Sequence, residues 1–108
     1  YIAENLAKKF MDAVNEKTGG KIDFQYFPSE QLGKAADLLS LTVDGVTDIG
    51  YVGPSYVSDK MPLSAVAQLP EAFTNSCQGT LAYWELAKPG GILDEAEFKP
   101  NGVRLLMA

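Results

Sequence analysis

The chain has 108 residues, of which 46% are apolar and 21% are charged, a composition typical of one globular domain. Its net charge of −5 argues against a nucleic-acid partner, because nucleic acids bind to basic surfaces. No apolar run approaches the length of a membrane span, so direct membrane insertion is not expected.

The first predicted elements are a helix and a strand. Apolar residues recur at four-residue spacing from Ile2 to Val14, which indicates an amphipathic helix. The sequence Thr18-Gly19-Gly20 is typical of a helix end, since Gly adopts the left-handed conformation at little cost. Residues 22–26 alternate apolar and polar side chains, and this pattern predicts a strand with one buried face.

The middle of the chain predicts a second helix and a central strand. The helix is expected over residues 34–43 and ends at Asp44-Gly45. The apolar run that opens at Thr47 favours a strand buried on both faces. Strand, helix and strand in this order form a right-handed βαβ crossover by default. The sequence therefore predicts an α/β fold with a mostly parallel sheet flanked by helices.

The sequence pattern from residue 58 onward predicts turns, two helices and a strand. Residues 58–70 contain two prolines and are expected to form an ordered loop or short turns. A helix capped near Asn75 should run to about Ala87, and a short helix should cover residues 92–98. A final strand begins at Val103. No strand precedes the first helix and nothing flanks the last strand, so a fragment of a longer protein is expected.

Residues with catalytic potential have simpler interpretations. The chain contains no His, which excludes a His-based catalytic triad or metal site. Cys77 lies at a predicted helix start, where a thiol pKa can fall, but without an imidazole we interpret it as a small apolar filler. The acids Asp94, Glu95 and Glu97 are interpreted as a solvated helix face. We interpret the chain as a non-enzyme without a cofactor or metal.

The loop that follows the central strand is the main candidate binding site. Ligands of open α/β sheets sit beyond the carboxyl ends of strands. Gly53 allows a ligand to approach the backbone, Pro54 and Ser55 follow it, and Tyr51 offers a flat apolar wall with a polar tip. The alternative is that Tyr51 packs in the core and Tyr56 covers the loop.

A second candidate loop lies at residues 27–34. It leads into a helix start, where backbone N–H groups around Gly33 can bind a carboxylate and Gln31 can add an amide. The alternative is that Gly33 only fits the turn and Gln31 is solvated. Glu71 is interpreted as a solvated loop acid, and Trp84 as a packing residue.

Several blocks of the chain, taken together, resemble one protein family. They are similar, in order and spacing, to signature blocks of the DctP-type solute-binding proteins of tripartite ATP-independent periplasmic (TRAP) transporters. The blocks are Lys17-Thr18-Gly19-Gly20-Lys21, Phe27-Pro28-Ser29-Glu30-Gln31-Leu32-Gly33, Asp44-Gly45-Val46-Thr47-Asp48-Ile49-Gly50, Met61-Pro62-Leu63 and Leu69-Pro70.

The resemblance implies a fold and a function. Members of this family have two α/β lobes of the periplasmic binding protein-like (type II) class, joined by hinges. They close around a small organic acid ligand in the periplasm and deliver it to the TRAP membrane permease subunits. The chain would then be part of the first lobe, without the first strand and the second lobe. The family's carboxylate-clamping arginine would lie in that second lobe, and its role is not transferred to Arg104.

The resemblance also implies where a ligand would bind. First-lobe contacts in the family match residues 51–55 and the helix start after Gln31-Leu32-Gly33. Some members carry an acid at the position of Gly53 or just past the Leu-Gly pair, where this chain has Lys34 and Ala35. This departure disfavours a sugar acid and favours a smaller or more apolar carboxylate.

Two other classes of protein remain as alternatives. The first is the effector-binding domain of a transcription regulator, which has a similar two-lobe fold. A helix-turn-helix in the preceding sequence would favour the regulator, and a signal peptide there would favour transport. The second is a fragment of an α/β enzyme, which the lack of His disfavours.

Overall fold

The computed structural model describes residues 3–108, with side chains described from Asn5 onward. Ile2, which starts the predicted apolar stripe, lies outside the described residues. The chain divides into two compact units, one ending at Leu32 and the other spanning Gly33–Ala108.

The N-terminal unit consists of a helix and an extended segment. A π-helical turn at Ala3–Ala7 leads into α1, Lys8–Lys17. Gly19 and Gly20 take φ values of 64° and 77°, which confirms the predicted helix end. The extended segment packs on α1 through the rings of Phe10 and Phe24, whose centroids lie 6.0 Å apart in an edge-to-face arrangement.

The C-terminal unit contains short helical elements, and three of its predicted helices are confirmed. These are the helices expected over residues 34–43, from Asn75 to Ala87, and over residues 92–98. Asn75 caps its helix, because its Oδ1 accepts a hydrogen bond from the Gln78 N–H at 2.8 Å. The elements are a 3₁₀ turn at Ala35–Asp37, α2 at Leu38–Val43, a 3₁₀ helix at Pro54–Val57, α3 at Pro62–Val66, α4 at Ser76–Ala87 and a π-helical turn at Asp94–Phe98.

The predicted α/β fold with a mostly parallel sheet is wrong for the described residues. Helices account for 48% of the structure, and no residue from 3 to 108 belongs to a strand. A strand exists only when its backbone groups bond to a neighbouring strand, and an apolar pattern does not guarantee that partner. The C-terminal segment shows the distinction. Val103, Leu105 and Met107 are half-buried while Arg104 and Leu106 are exposed, so the side chains of this predicted strand alternate in burial without a ladder.

The core of the C-terminal unit gathers one or two side chains from each surrounding element. Val52, Tyr83, Val103 and Leu105 pack against its edge. Because the contributing residues are far apart in sequence, burial of their apolar surface holds the short helices together. The buried apolar residues are Leu39, Val57, Met61, Ala87, Leu93 and Phe98.

A buried carboxylate joins two of these elements. Glu97, which is 3% exposed, accepts hydrogen bonds from the Ser64 N–H at 2.9 Å and the Ser64 hydroxyl at 2.5 Å. Its other oxygen accepts the N–H of Leu63. These two N–H groups lie at the start of α3, where a helix has no backbone acceptor of its own. Glu97 therefore caps α3 from a distant part of the chain.

The interpretation of the acidic cluster as a solvated face is wrong for two of its three members. Asp94 and Glu97 are 2% and 3% exposed. Asp94 accepts the Gly90 N–H at 2.9 Å, and its carboxylate lies 3.8 Å from the Lys99 ammonium. Glu95 alone faces solvent, where it pairs with Lys99. The sequence pattern did not reveal the donors that allow the two acids to be buried, which are local for Asp94 and distant in sequence for Glu97.

We expect Glu97→Ala to lower the free energy of unfolding by about 3 kcal/mol, because the Ser64 and Leu63 donors would lose their buried acceptor. Glu97→Gln keeps one acceptor oxygen and should cost about 1–2 kcal/mol. Urea denaturation monitored by circular dichroism measures both changes in the free energy of unfolding.

Glu95→Gln is the matched control, because this acid lies on the same turn and is exposed. It should change stability by no more than about 0.5 kcal/mol. Equal effects of Glu95→Gln and Glu97→Gln would contradict the capping role of Glu97.

Tyr83 should make the fold sensitive to alkaline pH. Burial raises the pKa of this phenol above its usual 10.0, the hydrogen bond with Ser64 lowers it, and the Glu97 carboxylate raises it again. The net shift is upward, so the folded chain releases this proton less readily than the unfolded chain. Its contribution to stability is therefore present below pH 10 and is lost as the pH rises through the folded pKa. Stability measured against pH should fall less steeply above pH 10 in Tyr83→Phe; identical slopes would contradict this assignment.

Candidate functional site

The candidate loop begins where Gly50 packs closely on α2. A Cβ atom placed on Gly50 would lie 2.3 Å from the Thr42 Oγ1 and 3.4 Å from the Leu38 carbonyl oxygen. The Thr42 hydroxyl donates to that carbonyl at 2.7 Å, so it is held in place. Only glycine fits this approach without moving α2.

The loop ends in the 3₁₀ helix Pro54–Val57. Proline is suited to the first helical position, and the Tyr56 N–H closes the turn on the Gly53 carbonyl at 3.0 Å. Val57 is buried in the core of the unit. The loop is therefore anchored at both ends, with Tyr51 and Ser55 exposed and Val52 packed against the core between them.

Four of the five predicted site residues lie together on this loop. Tyr51 is 63% exposed, which excludes the alternative that it packs in the core. Gly53 and Pro54 are half-buried, and Ser55 is exposed. Tyr56 is 64% exposed, and its ring lies over Gly53, where an added Cβ would be 3.0 Å from the ring edge. The loop thus presents two aromatic rings and one hydroxyl to solvent.

One residue of this site was missed by the sequence analysis. The Gln68 Oε1 accepts the Ser55 N–H at 2.8 Å, so this backbone donor is already engaged. Gln68 lies in the segment that was predicted as a loop or short turns, and no local pattern links two residues 13 positions apart.

The start of the second helix lies against the candidate loop. The 3₁₀ turn Ala35–Asp37 contacts the 3₁₀ helix Pro54–Val57. Within this turn the Asp37 N–H donates to the Lys34 carbonyl at 2.9 Å. The Lys34 side chain is exposed just before the turn. Its positive charge therefore belongs to the same region of this unit as the loop.

Gln31, the fifth predicted site residue, lies in the N-terminal unit. Its side chain is exposed, and its N–H donates to the Pro28 carbonyl at 3.3 Å. Ser29 and Glu30 before it take positive φ values of 55° and 59°, which are uncommon outside glycine. The part of Gln31 in ligand binding stays a prediction.

The other residues considered for catalysis or binding do not form a group. Cys77 and Glu71 are exposed, and Trp84 is half-buried on α4. Between residues 3 and 108, no three acidic or thiol side chains come close enough to hold a metal ion. Nor does any helix in this part of the chain have the length and apolar character needed to cross a membrane.

Comparison with known proteins gives the family. A profile of the bacterial extracellular solute-binding proteins, family 7 (DctP), matches residues 2–107. Because the match covers nearly the whole chain, the chain belongs to this family of solute-binding proteins, and the resemblance drawn from the sequence blocks is confirmed.

Two curated proteins are similar to the chain. One is the C4-dicarboxylate-binding protein DctB of Bacillus subtilis, 37% identical over 81 residues, which cover 68% of this chain and 23% of DctB. The other is the uncharacterized protein YiiZ of Salmonella typhimurium, 45% identical over 60 residues, which cover 56% of this chain and 18% of YiiZ. The chain thus spans about a fifth of the length of each. No solved structure matches it significantly.

We expect Gly50→Ala to lower the free energy of unfolding by about 1–3 kcal/mol, because its methyl group would overlap the Thr42 hydroxyl. Adding Thr42→Ala should recover part of the loss, since it removes the overlapping oxygen. Thermal and urea unfolding measure the three variants.

Gly53→Ala is the control for this experiment. Its methyl group would meet only the exposed Tyr56 ring, which can rotate away, so the expected cost is below about 1 kcal/mol. Equal costs at the two glycines would contradict the anchoring role of Gly50.

Proposed function

We propose that the chain is part of the extracytoplasmic solute-binding subunit of a TRAP transporter. It captures a small organic carboxylate reversibly in the periplasm and passes it to the membrane permease subunits, without catalysing a reaction. Membership of the solute-binding family supports this proposal, and so does the similarity to a protein named for C4-dicarboxylate binding.

The proposed binding surface is the loop that carries Tyr51, Gly53, Pro54 and Ser55, and Gln31 is proposed separately as a ligand contact of the N-terminal unit. Tyr51 forms an apolar wall, Gly53 lets the ligand reach the backbone, and the Ser55 hydroxyl donates a hydrogen bond. The observation that carries this assignment is the exposure of a large aromatic side chain on a loop anchored at both ends.

The proposed ligand is a small carboxylate. Lys34 is exposed beside the loop and supplies a positive charge close to it, although the chain as a whole carries −5. Gly53 leaves no acidic side chain in the middle of the loop, so an anion meets no like charge there. A carboxylate accepts hydrogen bonds through both oxygens, which suits a hydroxyl and an amide as partners.

We expect Tyr51→Ala and Gly53→Asp to weaken binding of succinate by the intact protein at least about tenfold each. Tyr51→Ala removes the apolar wall, and Gly53→Asp places a negative charge next to the ligand. Isothermal titration calorimetry at constant ionic strength measures both affinities.

Matched variants separate these effects from general damage. Leu81→Ala truncates an apolar side chain on α4 that is 62% exposed, as Tyr51 is 63% exposed, and it should leave binding unchanged. Gly53→Asn has the shape of Gly53→Asp without the charge and should cost less. Wild-type affinity in both Tyr51→Ala and Gly53→Asp would reject this site.

A further inference from the structure

The contact between Gln68 and Ser55 fixes the orientation of a side-chain amide beside the candidate loop. A backbone N–H can only donate a hydrogen bond, so the atom of Gln68 that lies 2.8 Å from the Ser55 nitrogen is the carbonyl oxygen. The other terminal atom of the amide is then Nε2, which carries two N–H donors. Within the described residues Nε2 donates to no protein acceptor, and the Gln68 side chain is exposed.

The backbone that carries Gln68 is held by α3. The Gln68 N–H donates to the Ala65 carbonyl at 3.1 Å, and the neighbouring Ala67 N–H donates to the Ser64 carbonyl at 3.2 Å. Glu97 caps the opposite end of this helix through Ser64. The amide of Gln68 is therefore attached two residues beyond the end of α3, in a turn whose backbone is hydrogen-bonded to that helix.

The position of this amide matches the chemistry of an acceptor ligand. Its oxygen accepts the Ser55 N–H, and its two Nε2–H donors are available to a ligand at the loop. Two donors on one group suit a carboxylate, which has only acceptors when ionised.

We propose that Gln68 is a specificity-determining residue of the candidate loop. Its Oε1 holds the Ser55 N–H, and its Nε2 donates to a carboxylate oxygen of the bound ligand. This inference rests on the proposed function, because it assigns a further contact at the same site. It assigns to this side chain two donors for the acceptor oxygens of a carboxylate.

The test is Gln68→Glu in the intact protein. Glutamate has the same length and can still accept the Ser55 N–H, but it replaces the two Nε2–H donors with a negatively charged acceptor. We expect the affinity for succinate, measured by calorimetry, to fall by about tenfold or more, since a hydrogen bond to a charged group is lost and a repulsion is added. Amide hydrogen exchange at Ser55 should stay slow in Gln68→Glu and become faster in Gln68→Ala.

Gln78→Glu is the matched control. Gln78 is also exposed, and its Oε1 also accepts a backbone N–H, from Thr74 at 3.0 Å, but it lies on α4. The substitution adds the same charge and should change succinate affinity less than about twofold.

The possible outcomes separate the two proposals. If wild-type protein binds succinate, Tyr51→Ala weakens binding and Gln68→Glu does not, the role of Gln68 is overturned while the proposed function stands. If Gln68→Glu and Gln78→Glu weaken binding equally, the effect is one of total charge and the role of Gln68 is again overturned. If wild-type protein binds neither succinate nor propionate, both proposals fail.

Discussion

The arrangement of the C-terminal unit depends on one buried carboxylate. Glu97 meets the first N–H groups of α3 and the Ser64 hydroxyl in a region without solvent. A helix of only five residues has little stability of its own, so the acceptor at its start determines whether it forms. The same carboxylate ties the C-terminal turn to the middle of the chain. Without it, three donors would be buried without partners.

The conformation of the candidate loop depends on this arrangement. Gln68 lies two residues beyond the end of α3 and holds Ser55, and Val57 anchors the end of the loop in the core. At the other end, Gly50 lets the chain pass against Thr42. Each contact joins residues that are distant in sequence, and together they leave Tyr51 exposed on a fixed backbone. The chain belongs to a family of solute-binding proteins, and this surface is the proposed binding site.

Most of the helices could be predicted from the sequence, whereas α3 falls in a segment predicted as a loop or short turns, and the predicted sheet is absent from the described residues. Helical periodicity, the Asn75 cap and the glycine turns are local signals, and each located an element correctly. A strand pattern indicates which side chains would face inward. It does not indicate which neighbouring strand would accept the backbone hydrogen bonds. The candidate loop was located from the residues that compose it. Gln68 and the burial of Glu97 were not, because their partners lie 13 and 33 residues away.

The hydrogen bond from the Ser55 N–H to Gln68 also limits how the loop could be grafted onto another protein. Residues 51–57 do not carry their own conformation, because part of it is supplied by an amide on another element and by a glycine contact with α2. A graft of this heptapeptide onto an unrelated scaffold would transfer the aromatic rings but not the contacts that orient them. The smallest transplantable unit contains α2, the loop and α3 as one piece.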